Sequence, residues 1–315
     1  MTGTSRTVVT LGEVMALFLT ADARPLGTAT QFRLDVAGAE ATVAIGLARL
    51  GHDAVYLGRL GDDPLGAQIV RTLRGHGVDV TGLRLVSDGP TGLLVRDASP
   101  DRLISVRYYR SGSAASTLRP DDIPASVVES AALVHLTGIT SALSGSAHAT
   151  VLHVLRLARE AGVPVSFDPN VRLTLAPPAR WRSIFEEVVP WCDIVLTGAD
   201  DARVVTDGDP AAWFLERGAK TVVVKDGAKG AYETDGSTVT QAPARSATLV
   251  DPVGAGDAFA AGWLGGWLRD VPPERRLREA CVVAALAIGA PGDIAGLPDD
   301  RTVQAVLAGE GDVTR

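Results

Sequence analysis

Lysine is scarce in this chain. Only three of the 30 basic residues are lysines, Lys220, Lys225 and Lys229, all within ten residues of one another, and the other 27 are arginines. Cysteine is scarcer still. Cys192 and Cys281 lie far apart in no metal-type spacing, and they read as two buried thiols of a reduced, cytoplasmic protein. No apolar run approaches the roughly 18–20 residues that a membrane span needs, which excludes a membrane partner. The opening MTGTSRTVVTLGEV lacks the apolar stretch and cleavage pattern of a secretory signal. Positive charge is also in deficit. A net charge of −7 and a pI near 5.3 exclude a nucleic-acid binder that works by phosphate neutralisation.

Several phosphate and nucleophile motifs are missing as well. No G-x-x-x-x-G-K-[ST] occurs, no G-x-G-x-x-G follows the first apolar run, and there is no G-x-S-x-G elbow. His52, His76, His135, His148 and His153 make no zinc-like spacing and read as surface or core histidines.

What is present is a 315-residue chain, 46% apolar and 21% charged, with ample material for one large core. Short apolar runs at 8–14, 54–61, 133–139, 163–169, 193–198 and 221–227 read as buried strands bounded by Gly, Pro or Asp. Between them, 39–51, 63–77, 146–162 and 177–190 repeat apolar residues at three and four, and several end in Gly. This alternation predicts a doubly wound α/β sheet. Residues 15–37 and 91–110 break the rhythm. MALFLT and QFRLDVAG, then TGLLVRD and RLISVRYYR joined by ASPD, read as two pairs of strands without crossover helices. They predict a small β-sheet lid inserted into a single domain spanning 1–315. An exposed lid sheet could also pair with its twin in a homo-oligomer, most simply a dimer.

Three stretches carry chemistry. In Asp251-Pro-Val-Gly-Ala-Gly-Asp257, followed by the small-residue helix AFAAGWLGG, residues Gly254, Ala255 and Gly256 fall at a helix N-terminus. Free N–H groups and the helix dipole favour an anion there, and glycines let the backbone approach it. A carboxylate at that end, Asp257, repels a phosphate unless it has a task. Taking the proton of a hydroxyl that attacks phosphorus is one, although an ordinary first-turn acid fits the same pattern. Second, TVVVKDGAKG ends a strand in a glycine-rich loop, where open α/β sheets bind ligands, with Lys225 and Lys229 as point charges. Third, Arg107 and Arg110 lie in the proposed lid and Arg172 follows a strand end, as arginines suited to an anionic substrate. Tyr108 and Tyr109, adjacent in a strand, face opposite ways.

Together these residues resemble the ribokinase-like (PfkB) carbohydrate kinases over essentially the full length. DPVGAGDAFAAG is similar to their C-terminal signature, and AGAEATVAIGLARLG with GRLGDDPLG to their N-terminal one. Within the family, LGEVM, TGLLV, VRYYRSGSA, VHLTGIT, FDPNVR and KDGAKGA look most like 2-keto-3-deoxygluconate kinases. The resemblance implies a ribokinase-like α/β core with a lid, ATP with Mg²⁺ as donor, and the primary hydroxyl of a sugar acid as acceptor. It implies Asp257 as base and Gly254, Ala255 and Gly256 as anion hole. Gly38, Ala39, Leu94, Tyr109, Arg110 and Arg172 fall where such kinases hold the sugar. Lys225, Gly227, Ala228, Lys229 and Gly230 fall on the nucleotide loop. Asp201 stands near the metal–phosphate position, and Asp251 with Val253 where a monovalent cation such as K⁺ would bind. The chain departs from the family pattern at Ala37, Thr42, Leu94, Gly198 and Cys281. Fructose, another keto sugar or another sugar acid remains an alternative acceptor, and a non-catalytic sugar- and nucleotide-binding regulator an alternative of another class.

Overall fold

A computed structural model describes residues 7–21, 24–97 and 104–309. The ASPD link at 98–101, and the start of the strand expected after it, lie outside the described residues. Seven strands form the parallel part of a large sheet: β1 (Val8–Leu11), β4 (Ala54–Gly61), β5 (Leu83–Val86), β8 (Leu133–Thr137), β9 (Val165–Asp168), β10 (Ile194–Gly198) and β11 (Thr221–Lys225). Two antiparallel strands, β12 (Ala231–Thr234) and β13 (Val239–Ala242), extend one edge, giving the order β13-β12-β11-β10-β9-β8-β1-β4-β5. The expected strand at 8–14 is shorter, because after Leu11 the chain leaves the sheet through Gly12–Val14.

Alternating side chains divide the core. Val8, Tyr56 and Leu133 face one layer of helices, and Val9, Val55, Leu57 and Val134 face the other. Both faces are buried, so the parallel strands read as continuous apolar runs rather than as alternating ones. On the first face the helices Ala39–Arg49, Ala255–Leu268 and Pro273–Ala287 pack together. Ala258, Ala260 and Ala261 are fully enclosed there, and such small side chains allow close helix approach. On the other face lie Gly145–Ala161 and Pro178–Val188, the latter placing Trp181 and Phe185 in the core.

The two segments that break the strand–helix rhythm meet in a second, four-stranded sheet. Its strands are β2 (Met15–Thr20), β3 (Phe32–Ala37), β6 (Leu93–Arg96) and β7 (Val106–Tyr109), in the order β3-β2-β6-β7. Each hairpin is antiparallel, and β2 joins β6 in parallel. Met15, Leu17, Leu19, Ala37 and Leu94 make its own small core. Among the described residues no helix is long and apolar enough to cross a membrane.

Candidate active site

Parallel strands bring their carboxyl ends to one edge, where ligands bind in open α/β sheets. Here Thr137 pairs with Asp168 across β8 and β9, and Gly198 with Lys225 across β10 and β11. The end residues of consecutive strands therefore line up on one rim. Over that rim lies a cavity of about 1040 Å³, walled on one side by the small sheet and on the other by the segment 244–249 and helix Pro273–Ala287.

The helix Ala255–Leu268 points its N-terminus into this cavity. Its cap, Gly254, is left-handed at φ 82°, a conformation that glycine adopts without strain. A β-carbon there would also stand 3.2 Å from the Asp293 carbonyl oxygen. Gly254, Ala255 and Gly256 all line the cavity, with Asp257 in the first turn. Asp257 is buried. Burial, aided by the charge of Asp168, raises its carboxyl to about 7, while Lys225 and Arg172 pull the other way.

Asn170 holds that carboxylate and links it to Asp168 and Lys225 in one network. Asn170 Nδ2 donates to Asp257 Oδ1 at 3.0 Å, and Asn170 N donates to Asp168 Oδ1 at 3.1 Å. The other Asp168 oxygen accepts from Lys225 Nζ at 2.5 Å. Asn170 is the only asparagine in the chain, sits at φ 45°, and keeps its own Oδ1 buried with no hydrogen-bond partner. Asparagine tolerates the left-handed region better than most residues. Lys225 is more than a charge on a loop. Its Nζ reaches within 3.5 Å of where a β-carbon on Gly256 would be, so it lies against the glycine turn. Burial works against its charge, but Asp168 outweighs this and its pKa is raised.

Gly38, Ala39, Leu94, Arg110 and Arg172 all line the same cavity. Gly38, at φ 152°, caps helix Ala39–Arg49, and a side chain there would run into the Glu13 carbonyl at 2.6 Å. Arg172 is exposed and donates only to its neighbour's carbonyl, Val171 O, at 2.9 Å. Arg110 is ion-paired with the buried Glu13, whose Oε1 also accepts from Ser113 Oγ at 2.6 Å. Beside it, Glu40 Oε1 accepts from Thr137 and Thr140 at 2.6 and 2.5 Å. Burial raises the Glu40 carboxyl despite those hydrogen bonds.

Three expected site residues are placed elsewhere. Tyr109 is 64% exposed and off the cavity, and Tyr108 lines it instead. The register decides this, because Tyr108 lies opposite Leu94 across β6 and β7, and opposed residues share a face. Lys229 is also outside the cavity, solvated and paired with Asp226 at 3.0 Å, whereas Gly227, Ala228 and Gly230 line it. Asp251 lies behind the glycine turn, fully buried. One carboxylate oxygen accepts from Arg96 Nη1 at 2.8 Å and Gly292 N at 2.9 Å, and the other from Val253 N at 3.2 Å.

Asp201 does line the cavity. Burial and then Asp168 raise its carboxyl to about 6, and its Oδ1 accepts from Val171 N at 3.2 Å. Among the described residues no three His, Cys, Asp or Glu side chains form a metal-binding group. Both cysteines are buried and free, and Cys281 lines the cavity. Sequence reasoning missed Asn170, Arg96, Asp293, Glu13 and Glu40. Their isolation in apolar or acidic surroundings was visible, but nothing local says that they converge.

Residues 5–300 match the family model described as pfkB family carbohydrate kinase. The chain is 36% identical over 309 residues to a 2-dehydro-3-deoxygluconokinase of Bacillus subtilis, covering 96% of this chain and 95% of that one. It is 33% identical over 315 residues to a 2-dehydro-3-deoxygalactonokinase of Haloferax volcanii, covering 98% and 99%. Among solved structures, a PfkB protein from Polaromonas superposes with a TM-score of 0.87 at 32% identity, covering 96% of this chain and all of the other.

Proposed function

Because the chain belongs to the pfkB family of carbohydrate kinases, phosphotransferases with an alcohol acceptor, we propose that its acceptor is 2-keto-3-deoxygluconate. The product is the 6-phosphate and ATP is the donor. One observation carries the reading. A buried carboxylate raised to about 7 stands in the first turn of a helix whose open N-terminus shares a cavity with two arginines.

The chemistry follows from that arrangement. The acceptor hydroxyl binds beside Asp257 and gives its proton to the carboxylate as its oxygen bonds to the γ-phosphorus. The bond from that phosphorus to the bridging oxygen breaks, and ADP leaves with the electron pair. A pKa near 7 leaves Asp257 about half ionised at neutral pH and lets it hold the proton it receives. Asn170 occupies one oxygen of Asp257 and leaves the other for the hydroxyl. Backbone N–H groups of the Gly254–Asp257 turn and Lys225 face the charge that develops on the transferring group. Mg²⁺, which keeps several waters and needs only one or two carboxylates beside the phosphates, would be held by Asp201 and would neutralise phosphate charge. The small sheet acts as a lid that excludes water.

A sugar acid is favoured over a neutral sugar by Arg172, whose guanidinium forms no ion pair among the described residues although its charge is felt by Asp257 and Asp201. Arg110 is already neutralised by Glu13, so it contributes donors more than net charge. Leu94 removes one hydroxyl from the sugar wall, and a relative is named for the galacto epimer, so the two C4 epimers form the natural comparison. A non-catalytic regulator would have no use for the Asp257 environment.

ADP release measured over a panel of sugar acids and neutral sugars tests the reading. Turnover is expected with 2-keto-3-deoxygluconate well above fructose. Preference for a neutral sugar overturns the acceptor, and no turnover with any sugar overturns the catalytic reading. We also propose a homodimer through the small sheet, whose edge strands β3 and β7 expose Phe32 and Tyr109. Light scattering that gives the mass of one chain removes it.

A further inference from the structure

Arg96 is among the largest fully buried side chains of the protein, and it comes from the small sheet. It places its guanidinium between two carboxylates 42 residues apart in sequence. Nη1 donates to Asp251 Oδ2 at 2.8 Å and Nη2 to Asp293 Oδ1 at 2.8 Å. These two aspartates flank the glycine turn. Asp251 opens the segment that becomes Gly254, and the Asp293 backbone packs directly on Gly254. Two buried carboxylates so close to one turn repel each other unless a cation lies between them.

Several oxygen atoms around this point already accept hydrogen bonds. Both Asp251 oxygens accept hydrogen bonds. Ile288 O accepts from Val250 N and Asp251 N at 2.8 and 3.1 Å. Pro291 O accepts at 2.7 Å from Arg33 Nη2, a second arginine of the small sheet. A monovalent cation is held by oxygens that replace its hydration shell, and here guanidinium groups already hold one oxygen of Asp251, one of Asp293 and the Pro291 carbonyl. The residues therefore do not fit the K⁺ site that the family resemblance implies at Asp251.

We propose that Arg96 is the resident cation of the anion-hole turn, a positioning residue that makes phosphoryl transfer independent of monovalent cations and ties the turn to the small sheet. It acts through Asp251 and Asp293, which fix the Gly254 backbone and hence the direction of the N–H groups facing the phosphate. This inference rests on the kinase reading but not on which sugar is the acceptor.

The test is turnover and thermal melting in tetramethylammonium buffer, with and without K⁺ or NH₄⁺ at constant ionic strength. Wild type is expected to change by less than about twofold, against the roughly 5–150-fold of typical coupled sites. Arg96→Met is expected to lose at least ~10-fold in kcat, as when an anion-hole donor is misdirected. K⁺, NH₄⁺ or guanidinium should then restore part of that loss and raise the variant's Tm, which tetramethylammonium does not. A general packing defect would not respond to cation identity. Arg96→Lys, which keeps a charge, covers the case in which the Met variant does not fold, and it should stay cation-independent. Stimulation of wild type about tenfold by K⁺, or a folded Met variant that keeps wild-type turnover or that no cation restores, overturns the proposal. Absence of turnover in wild type with every sugar would count against the kinase reading instead, and the melts would still report on Arg96.

Discussion

Asn170 Nδ2 donates to Asp257 Oδ1 at 3.0 Å, so the only asparagine in the chain is committed to the proposed base. The amide is neutral among the carboxylates of Asp168, Asp201 and Asp257. Replacing it by aspartate would put a second carboxylate against Asp257. Asn170→Asp is therefore expected to move the acid limb of the kcat/KM–pH profile upward by about a unit or more. Asn170→Ala should lower kcat by ~10-fold or more with little change in the KM for ATP, since orientation and not binding is lost. A profile and kcat like wild type in both variants would show that the contact does not matter.

Asp257→Asn separates catalysis from stability. Turnover should fall at least ~10²-fold, in line with general-base contributions. The fold should gain. The folded carboxyl lies near 7 against an ordinary 3.8, so the folded state holds a proton that the unfolded chain has released across that window. Wild-type stability then falls as pH rises from about 4 to 7 and levels off above it. The Asn variant lacks this loss. Its Tm advantage should open over the same range and persist at pH 8, and a gap that is constant with pH would contradict the assignment.

Lys225→Met removes the cation that Asp168 holds at 2.5 Å and that lowers the Asp257 pKa. The acid limb of the pH profile should shift upward, and the KM for ATP should rise as a positive charge at the glycine turn disappears. Lys229→Met serves as the contrast. Its ammonium pairs with Asp226 at the surface, and such exposed pairs are worth little, so the constants should stay within about twofold.

Arg172→Ala tests the acidic acceptor. Its KM for 2-keto-3-deoxygluconate should rise at least ~10-fold, as expected for a lost charge-assisted fork, while kcat on a neutral sugar changes little. An equal effect on both acceptors would argue that Arg172 binds phosphate and not the sugar.

The sequence by itself determined the α/β alternation, the two inserted strand pairs and the glycine turn with its carboxylate. Each of these is written in neighbouring residues, in the period of apolar positions or in a contiguous motif. It also brought Lys225, Arg110, Arg172 and Gly38 into view as candidates, because their residue types and strand-end positions are local signals. Which of Tyr108 and Tyr109 faces the cavity needed the β6–β7 register, since adjacent strand residues differ only by face. Whether Lys229 or Lys225 reaches the cavity depended on which one ends a strand pointing inward. The Asp257 pKa, the Asn170 contact and the Arg96 bridge came only from the tertiary structure. Burial, and charge neighbours 87, 89 and 155 or more residues away in the chain, set all three, and no local pattern encodes such distances.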